Sequence, residues 1–316
     1  MIGPGGIFRS AVVLVFCLAS HSCKKVDRIE SDVSTINIAT GDVTFSVIGD
    51  YGESGSNARE VSTMVRCWNP DFILTTGDNN YYPEDRNSWQ ANVGQYYGDF
   101  IFNWDATDRQ KCNGRAFLEE QNRFFSSPGN HDYHDDHGLI DYLNYFTLPD
   151  AEEFYQGKWG PVSFFSINSG DNNLMYDSTS HQAIWLKREL AASTTAWKVV
   201  FFHHSPYSSA DHGNFPAMQW PFESWGADFV FTGHDHVFSR IQKADEPALT
   251  YFICGASGRN KLYTCGSEPL SPNDFDVFCY DQGHGAIQVN ATDSTFAVAF
   301  YDKDFIDPIS VYFQNR

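Results

Sequence analysis

The chain has 316 residues, 42% hydrophobic and 16% aromatic, enough apolar material for one large core or two modest ones. Only 19% are charged, which excludes a disordered or coiled-coil composition. A formal net charge of −19 argues against a nucleic-acid scaffold or an anionic membrane surface as partner, because phosphate backbones demand clustered Lys and Arg. A small phosphorylated substrate stays compatible, since bound cations reverse the local field.

Arg9 precedes an apolar run, Ala11 to Ala19, that is too short to span a bilayer and is followed by small and polar residues. Residues 1–23 therefore read as an export signal. Ser22-Cys23-Lys24-Lys25 has the form of a lipoprotein cleavage site, with Ser20 where Leu is usual. Cys23 is the residue a lipid anchor would use, and plain secretion is the alternative. Residues 24–41 are polar and patternless, a linker, which leaves 42–316 as one domain.

Val43 to Ile48 is expected to be a strand ending at Gly49-Asp50-Tyr51-Gly52. Asn57 to Cys67 has helical spacing, with Ala58, Val61, Met64 and Val65 on one side, and Pro70 closes it. The apolar run 72–76 is a second strand, so the three elements form a parallel βαβ unit that delivers Gly77-Asp78-Asn79-Asn80-Tyr81. An aromatic, irregular segment follows, with a short helix near Trp89 to Phe100. Ala116 to Phe125 is expected to be helical and to lead to Gly129-Asn130-His131-Asp132. Phe154 to Ile167 reads as two strands turning at Gly160-Pro161, and His181 to Ala192 as an amphipathic helix. Trp197 to Phe202 is a buried strand delivering His203-His204-Ser205-Pro206. Ala217 to Trp225 is expected to be helical, and the strand 228–231 delivers Gly233-His234-Asp235-His236. The remainder, from Leu249, is strand-rich.

Beyond the signal stand Cys67, Cys112, Cys254, Cys265 and Cys279, with no CxxC pair that would suggest a thiolate zinc site. Cys265 and Cys279 bracket a Pro-containing loop and are expected to pair in an oxidising compartment.

Five polar clusters thus follow strands, and in α/β folds the carboxyl ends of strands form the rim where sites are built. Two carboxylates, a phenol, an amide and three imidazoles are too many for a four-coordinate zinc. They suit two ions that share one carboxylate.

In this order the clusters resemble the signature of the calcineurin-like metallophosphoesterases, in particular the purple acid phosphatases and their small tartrate-resistant type, over about residues 43–255. The resemblance implies a four-layer α/β/β/α sandwich in a single domain. It implies that Asp50, Tyr81 and His236 bind a first ion, that Asp78 bridges, and that Asn130, His204 and His234 bind a second. Alternation aims only one of His203 and His204 at the rim. His204 is chosen because family ligands stand two residues before a Pro, here Pro206, and His203 is left to pack or support. Most relatives carry a His two residues after the first Asp; here that position is Gly52, and Tyr81 replaces the missing ligand. A phenol with a pKa of about 10 stays a phenolate near neutral pH only on a strong Lewis acid. The first ion is therefore expected to be Fe(III), and the second Fe(II), Zn(II) or Mn(II).

The implied activity is acid-phosphatase-type hydrolysis of phosphate monoesters by in-line attack of a metal-bound hydroxide. His131 would protonate the leaving group, with Asp132 orienting it. His212 would contact substrate, although it stands eight residues after His204, one short of the family's spacing. Phosphodiester or nucleotide hydrolysis at the same site is the alternative activity. A non-catalytic surface binding protein is the alternative class, which the complete ligand set argues against. The expected location is outside the cytoplasm: secreted, periplasmic or membrane-anchored.

Overall fold

In the computed structural model the first three strands are β1 (Val43–Ile48), β2 (Phe72–Thr75) and β3 (Phe124–Ser126). They pair in parallel, with Phe45 beside Phe72 and Ile73 beside Phe124. The structure describes residues 42–82, 86–101, 122–133, 138–149, 153–170, 177–270 and 274–316. The expected signal and linker, with Cys23, and also Cys112, lie outside them. β1 and β2 are joined by the helix Ser56–Trp68, which buries Ala58, Val61 and Val65, the positions with helical period. It stops at Asn69, whose left-handed backbone returns its N–H to the carbonyl of Arg66. The expected βαβ unit is present.

Later in the chain come β4 (Tyr155–Trp159), β5 (Val162–Ser166), β6 (Trp197–His204), β7 (Phe229–Gly233), β8 (Phe238–Lys243), β9 (Glu246–Cys254) and β10 (Asp274–Tyr280). They close with β11 (Gly285–Ala291), β12 (Thr295–Asp302) and β13 (Ser310–Asn315). One sheet has the order β13-β12-β11-β1-β2-β3, the other β10-β8-β9-β7-β6-β5-β4. In the second, β5, β6, β7 and β9 run parallel.

The sheets pack face to face through aromatic rings. Phe72 meets Phe164 at 5.3 Å, Phe229 stacks on Phe296 at 4.2 Å and Phe238 on Phe300 at 4.3 Å between centroids. Each such ring removed from water contributes about 2 kcal/mol. A second apolar cluster covers the outer face of the second sheet, where Ala183, Leu186 and Leu190 of the helix His181–Ala192 meet Val200, Phe202 and Val230. With the helix Ser56–Trp68 against the first sheet, the layering is the expected α/β/β/α. Cys265 and Cys279 are disulfide-bonded as expected. Among the described residues no helix is long and apolar enough to cross a membrane.

Two elements differ from expectation. Phe124 and Phe125, read as the end of a helix, belong to β3, and the rest of that stretch up to 121 lies outside the described residues. The expected helix 217–225 is broken into a 3-10 turn, Pro216–Met218, and one turn of helix, Phe222–Trp225, because Pro221 cannot continue the first.

Candidate metal centre

The carboxyl ends of β1, β2 and β3 in one sheet and of β6 and β7 in the other meet at one rim. Asp50, Asp78 and His234 each stand at a strand end with positive φ, 53°, 49° and 70°. Non-glycine residues seldom adopt this conformation, Asp and His more readily than most, and it costs of order 1 kcal/mol or more each. Strain at three adjoining positions marks a functional rim. Gly77, φ 95°, precedes Asp78, and any Cβ there would stand 2.6 Å from Nδ1 of His203.

The Tyr81 hydroxyl lies 3.3 Å from Asp50 Oδ1 and 3.3 Å from His236 Nε2. Asp50 Oδ2 accepts the His234 backbone N–H at 2.9 Å. Asp78 Oδ1 accepts the His131 backbone N–H at 3.0 Å. His236 donates its Nδ1–H to the carbonyl of Lys261 at 2.6 Å, which leaves Nε2 for the site. Gly52 fits no ligand: a Cβ there would meet the Asn79 backbone at 2.3 Å, so the loops after β1 and β2 touch where a histidine would stand.

The structure moves one assignment. Along β6, Val199 and Phe201 belong to the core between the sheets and Val200 and Phe202 to the outer cluster. The pairing with β7 is irregular between Phe201 and His204, and the contacts beyond it place His203 at the rim and turn His204 outward. His203 donates Nδ1–H to the carbonyl of Thr76 at 2.9 Å, and its Nε2 lies 3.0 Å from Asn130 Oδ1, 3.1 Å from His234 Nδ1 and 3.3 Å from Asp78 Oδ1. His204 instead engages the Ser169 hydroxyl through its backbone N–H and Nδ1 and stacks on Phe215 at 4.6 Å. It stays close enough to His203 and His234 for the three to form one donor group. His203 is not a packing residue, and from it His212 is nine residues away, the spacing that His204 failed to give.

Asp132 also differs from expectation. Its buried carboxylate accepts hydrogen bonds from the backbone of Gly129, Asn79 and Asn80 and from the Asn79 side chain, at 2.8, 3.2, 2.9 and 2.8 Å. It knots the loops after β2 and β3 together, and none of these bonds involves His131. His131 is exposed, its ring 4.5 Å from that of Tyr81. His212 is exposed and lies against His234, centroids 4.0 Å apart. Tyr82, next to Tyr81, is 48% exposed.

These donors fit a cation. His203, its proton on Nδ1, presents a lone pair on Nε2 to an amide oxygen, a carboxylate oxygen and another imidazole nitrogen, all within 3.3 Å. The Asn130 and Asp78 oxygens can only accept, so their lone pairs and that of Nε2 repel at such distances, and a positive ion among them turns repulsion into coordination. Two donor groups share this residue, His203, His204 and His234 on one side and Asp50, Asp78 and His203 on the other.

The calcineurin-like phosphoesterase family model matches residues 38–238, more than half of the chain. The chain belongs to this family. Purple acid phosphatase 17 of Arabidopsis thaliana is 24% identical over 302 residues, covering 83% of this chain and 81% of its own. Human tartrate-resistant acid phosphatase type 5 is 22% identical over 274 residues, covering 69% and 74%. The structure of the purple acid phosphatase PPD1 from yellow lupin superposes with a TM-score of 0.65 at 14% identity, over 87% of this chain and 54% of the lupin one. The chain thus spans about half the length of the lupin protein.

In this phosphoesterase Asp50, Asp78, Tyr81, His203 and His236 are buried. Burial pushes the Asp50 carboxyl up to about 7 against the pull of His236, and it drives Tyr81 well above the usual phenol range, with Asp78 and Asp50 adding to the effect. Burial also lowers His203 and His234, each further depressed by neighbouring imidazoles, and lowers His204 to about 4. Neutral imidazoles and reluctant anions are what a metal-dependent phosphoester hydrolase presents before its ions bind. Sequence reasoning missed Asp235, which accepts from the Ser208 hydroxyl at 2.5 Å and the His212 backbone at 2.9 Å and so holds the loop that carries His212. It also missed Arg259, whose guanidinium sits 4.2 Å over the Tyr81 ring and pairs with Glu53 at 3.0 Å. Neither lies in a pattern that names its contact.

Proposed function

We propose that this phosphoesterase is an exported acid phosphatase that hydrolyses small phosphate monoesters at a two-ion centre. Asp50, Tyr81 and His236 hold the first ion, Asp78 is shared, and Asn130, His203 and His234 hold the second, with His204 close behind. The observation that carries the reading is the Tyr81 hydroxyl within 3.3 Å of both Asp50 and His236, beside a Gly52 with no room for a histidine. A buried phenol lying between a carboxylate and an imidazole suits Fe(III) and not Mg²⁺ or Ca²⁺. The second donor set suits Fe(II), Zn(II) or Mn(II).

The bound ions would supply Lewis acidity to the phosphoryl oxygens and activate water near neutral pH. The protein supplies the rest. His131, exposed beside Tyr81 and fixed by its backbone bond to Asp78, holds the proton that the leaving oxygen needs. His212, stacked on His234, offers a donor to the phosphoryl group. Asp132 keeps two ligand loops in register. The Cys265–Cys279 disulfide and the apolar run after Arg9 support an oxidising destination, and Cys23 is the residue that a lipid anchor would use.

Rates on an aryl phosphate monoester, an aryl diester and a nucleotide, beside elemental analysis and a visible spectrum, test the reading. Monoester preference with iron, about two ions per chain and a visible band lost in Tyr81→Phe is expected. A protein that prefers the diester, or whose band survives Tyr81→Phe, overturns the corresponding part.

A further inference from the structure

His212 sits on an exposed loop, where a side chain has many rotamers, yet its ring lies flat on His234. Groups from outside the loop touch that ring. The segment after β9 supplies one of them. Tyr263 brings its hydroxyl 3.2 Å from His212 Nε2, and the two rings meet edge-on at 4.9 Å and 90°. The opposite side of Tyr263 is committed as well: its ring stacks on His236 at 4.3 Å and 11°. One half-buried phenol thus touches a candidate ligand of the first ion and the imidazole above the second.

The neighbouring residues brace the same junction. The Asp211 carboxylate accepts the Thr264 N–H at 3.2 Å and the Ser267 hydroxyl at 2.9 Å, and Glu268 N–H donates to the carbonyl of Ser209 at 3.0 Å. The strap is in turn fixed to β10, covalently through Cys265–Cys279 and by the Cys265 N–H donating to Asp281 at 3.0 Å. On the other side, the Lys261 carbonyl takes the proton of His236 Nδ1. The loop that carries His212 is therefore cross-tied, by way of Tyr263, to a strand at the edge of the second sheet.

We propose that Tyr263 is a positioning residue, which fixes the His212 ring in the orientation that receives a phosphoryl oxygen, and that the disulfide keeps the strap in place for it. The inference rests on the phosphomonoester reading above. Tyr263→Phe keeps the stack on His236 and removes only the hydroxyl. In the metal-loaded protein, inorganic phosphate measured calorimetrically should bind about three- to tenfold more weakly, the worth of one hydrogen bond. KM for an aryl monoester should rise by a similar factor with kcat little changed, and the metal content and thermal midpoint should stay at the wild-type values. The double variant Cys265→Ser, Cys279→Ser should weaken phosphate in the same direction. Phosphate affinity and KM unchanged in Tyr263→Phe overturn the inference alone, as does an equal loss of kcat and metal. A wild-type protein that is metal-loaded and binds no phosphate overturns the phosphatase reading and this inference with it.

Discussion

Asn130 Oδ1 lies 3.0 Å from Nε2 of His203, while His204, next in sequence, reaches Ser169. One step along a strand thus separates a candidate donor at the rim from a neighbour turned to Ser169. His203→Ala should lose the second ion and reduce kcat by about a hundredfold or more, beyond what loss of an outer partner costs. His204→Ala should retain most of the metal and a larger share of the activity. Metal analysis of the two variants side by side is the check, and the reverse ranking would restore His204 as the ligand.

The Arg259 guanidinium lies 4.2 Å over the Tyr81 ring. A cation over a ring stabilises its negative charge, by about 0.5–2 kcal/mol. In iron-loaded protein, Arg259→Met should therefore raise the energy of the phenolate and move the visible band to longer wavelength, whereas Arg259→Lys should largely retain its position. An unmoved band in Arg259→Met would show that the guanidinium serves Glu53 alone.

Removing the Asp132 carboxylate orphans four donors in a buried knot. Asp132→Ala should destabilise the protein by about 3 kcal/mol, since each unsatisfied group costs about 1–3 and the costs overlap. For a chain of this size that corresponds to a thermal midpoint lower by about 6 °C. Asp132→Asn keeps part of the acceptor set and should cost less. A loss of activity in Asp132→Asn without loss of stability would restore the role beside His131 expected from sequence.

Asp50 gives a pH-dependent signature in the chelated protein. Its carboxyl is raised to about 7 from an ordinary 3.8, because burial disfavours the charge. Folding then binds a proton that the unfolded chain has released, so stability from this group is complete below about pH 4 and disappears as pH rises through about 7. The midpoint of Asp50→Asn minus that of wild type should accordingly grow between pH 4 and pH 7 with chelator present. Added metal should reverse the ranking at pH 7, since only the wild type regains a ligand. A difference that is flat with pH would refute the buried, ion-free carboxylate.

Much of this was legible in the residues because hydrophobic period and strand-end polar clusters report directly on burial. Val43–Ile48 and His181–Ala192 emerged with the bounds expected of them. Phe124–Phe125 was not legible, since a two-residue apolar run fits the end of a helix and a short strand equally. The choice between His203 and His204 was not legible for a related reason. Every residue of Val199 to Phe202 is apolar, so the sequence shows a buried strand and hides which face is which; only the two cores resolve the phase. Asp132 was misassigned because adjacency to His131 in sequence says nothing about where its oxygens point. Tyr263 and Arg259 come from a segment without periodicity, and their meaning appears only where that segment crosses the rim.

The donors come from both halves of the sandwich: Asp50, Asp78, Tyr81 and Asn130 follow strands of the first sheet, and His203, His234 and His236 close strands of the second. No stretch of the chain that ends before residue 236 owns the full set. If these residues hold the ions, a complete site needs nearly three-quarters of the polypeptide and the docking of both sheets, and bound ions would then tie one sheet to the other.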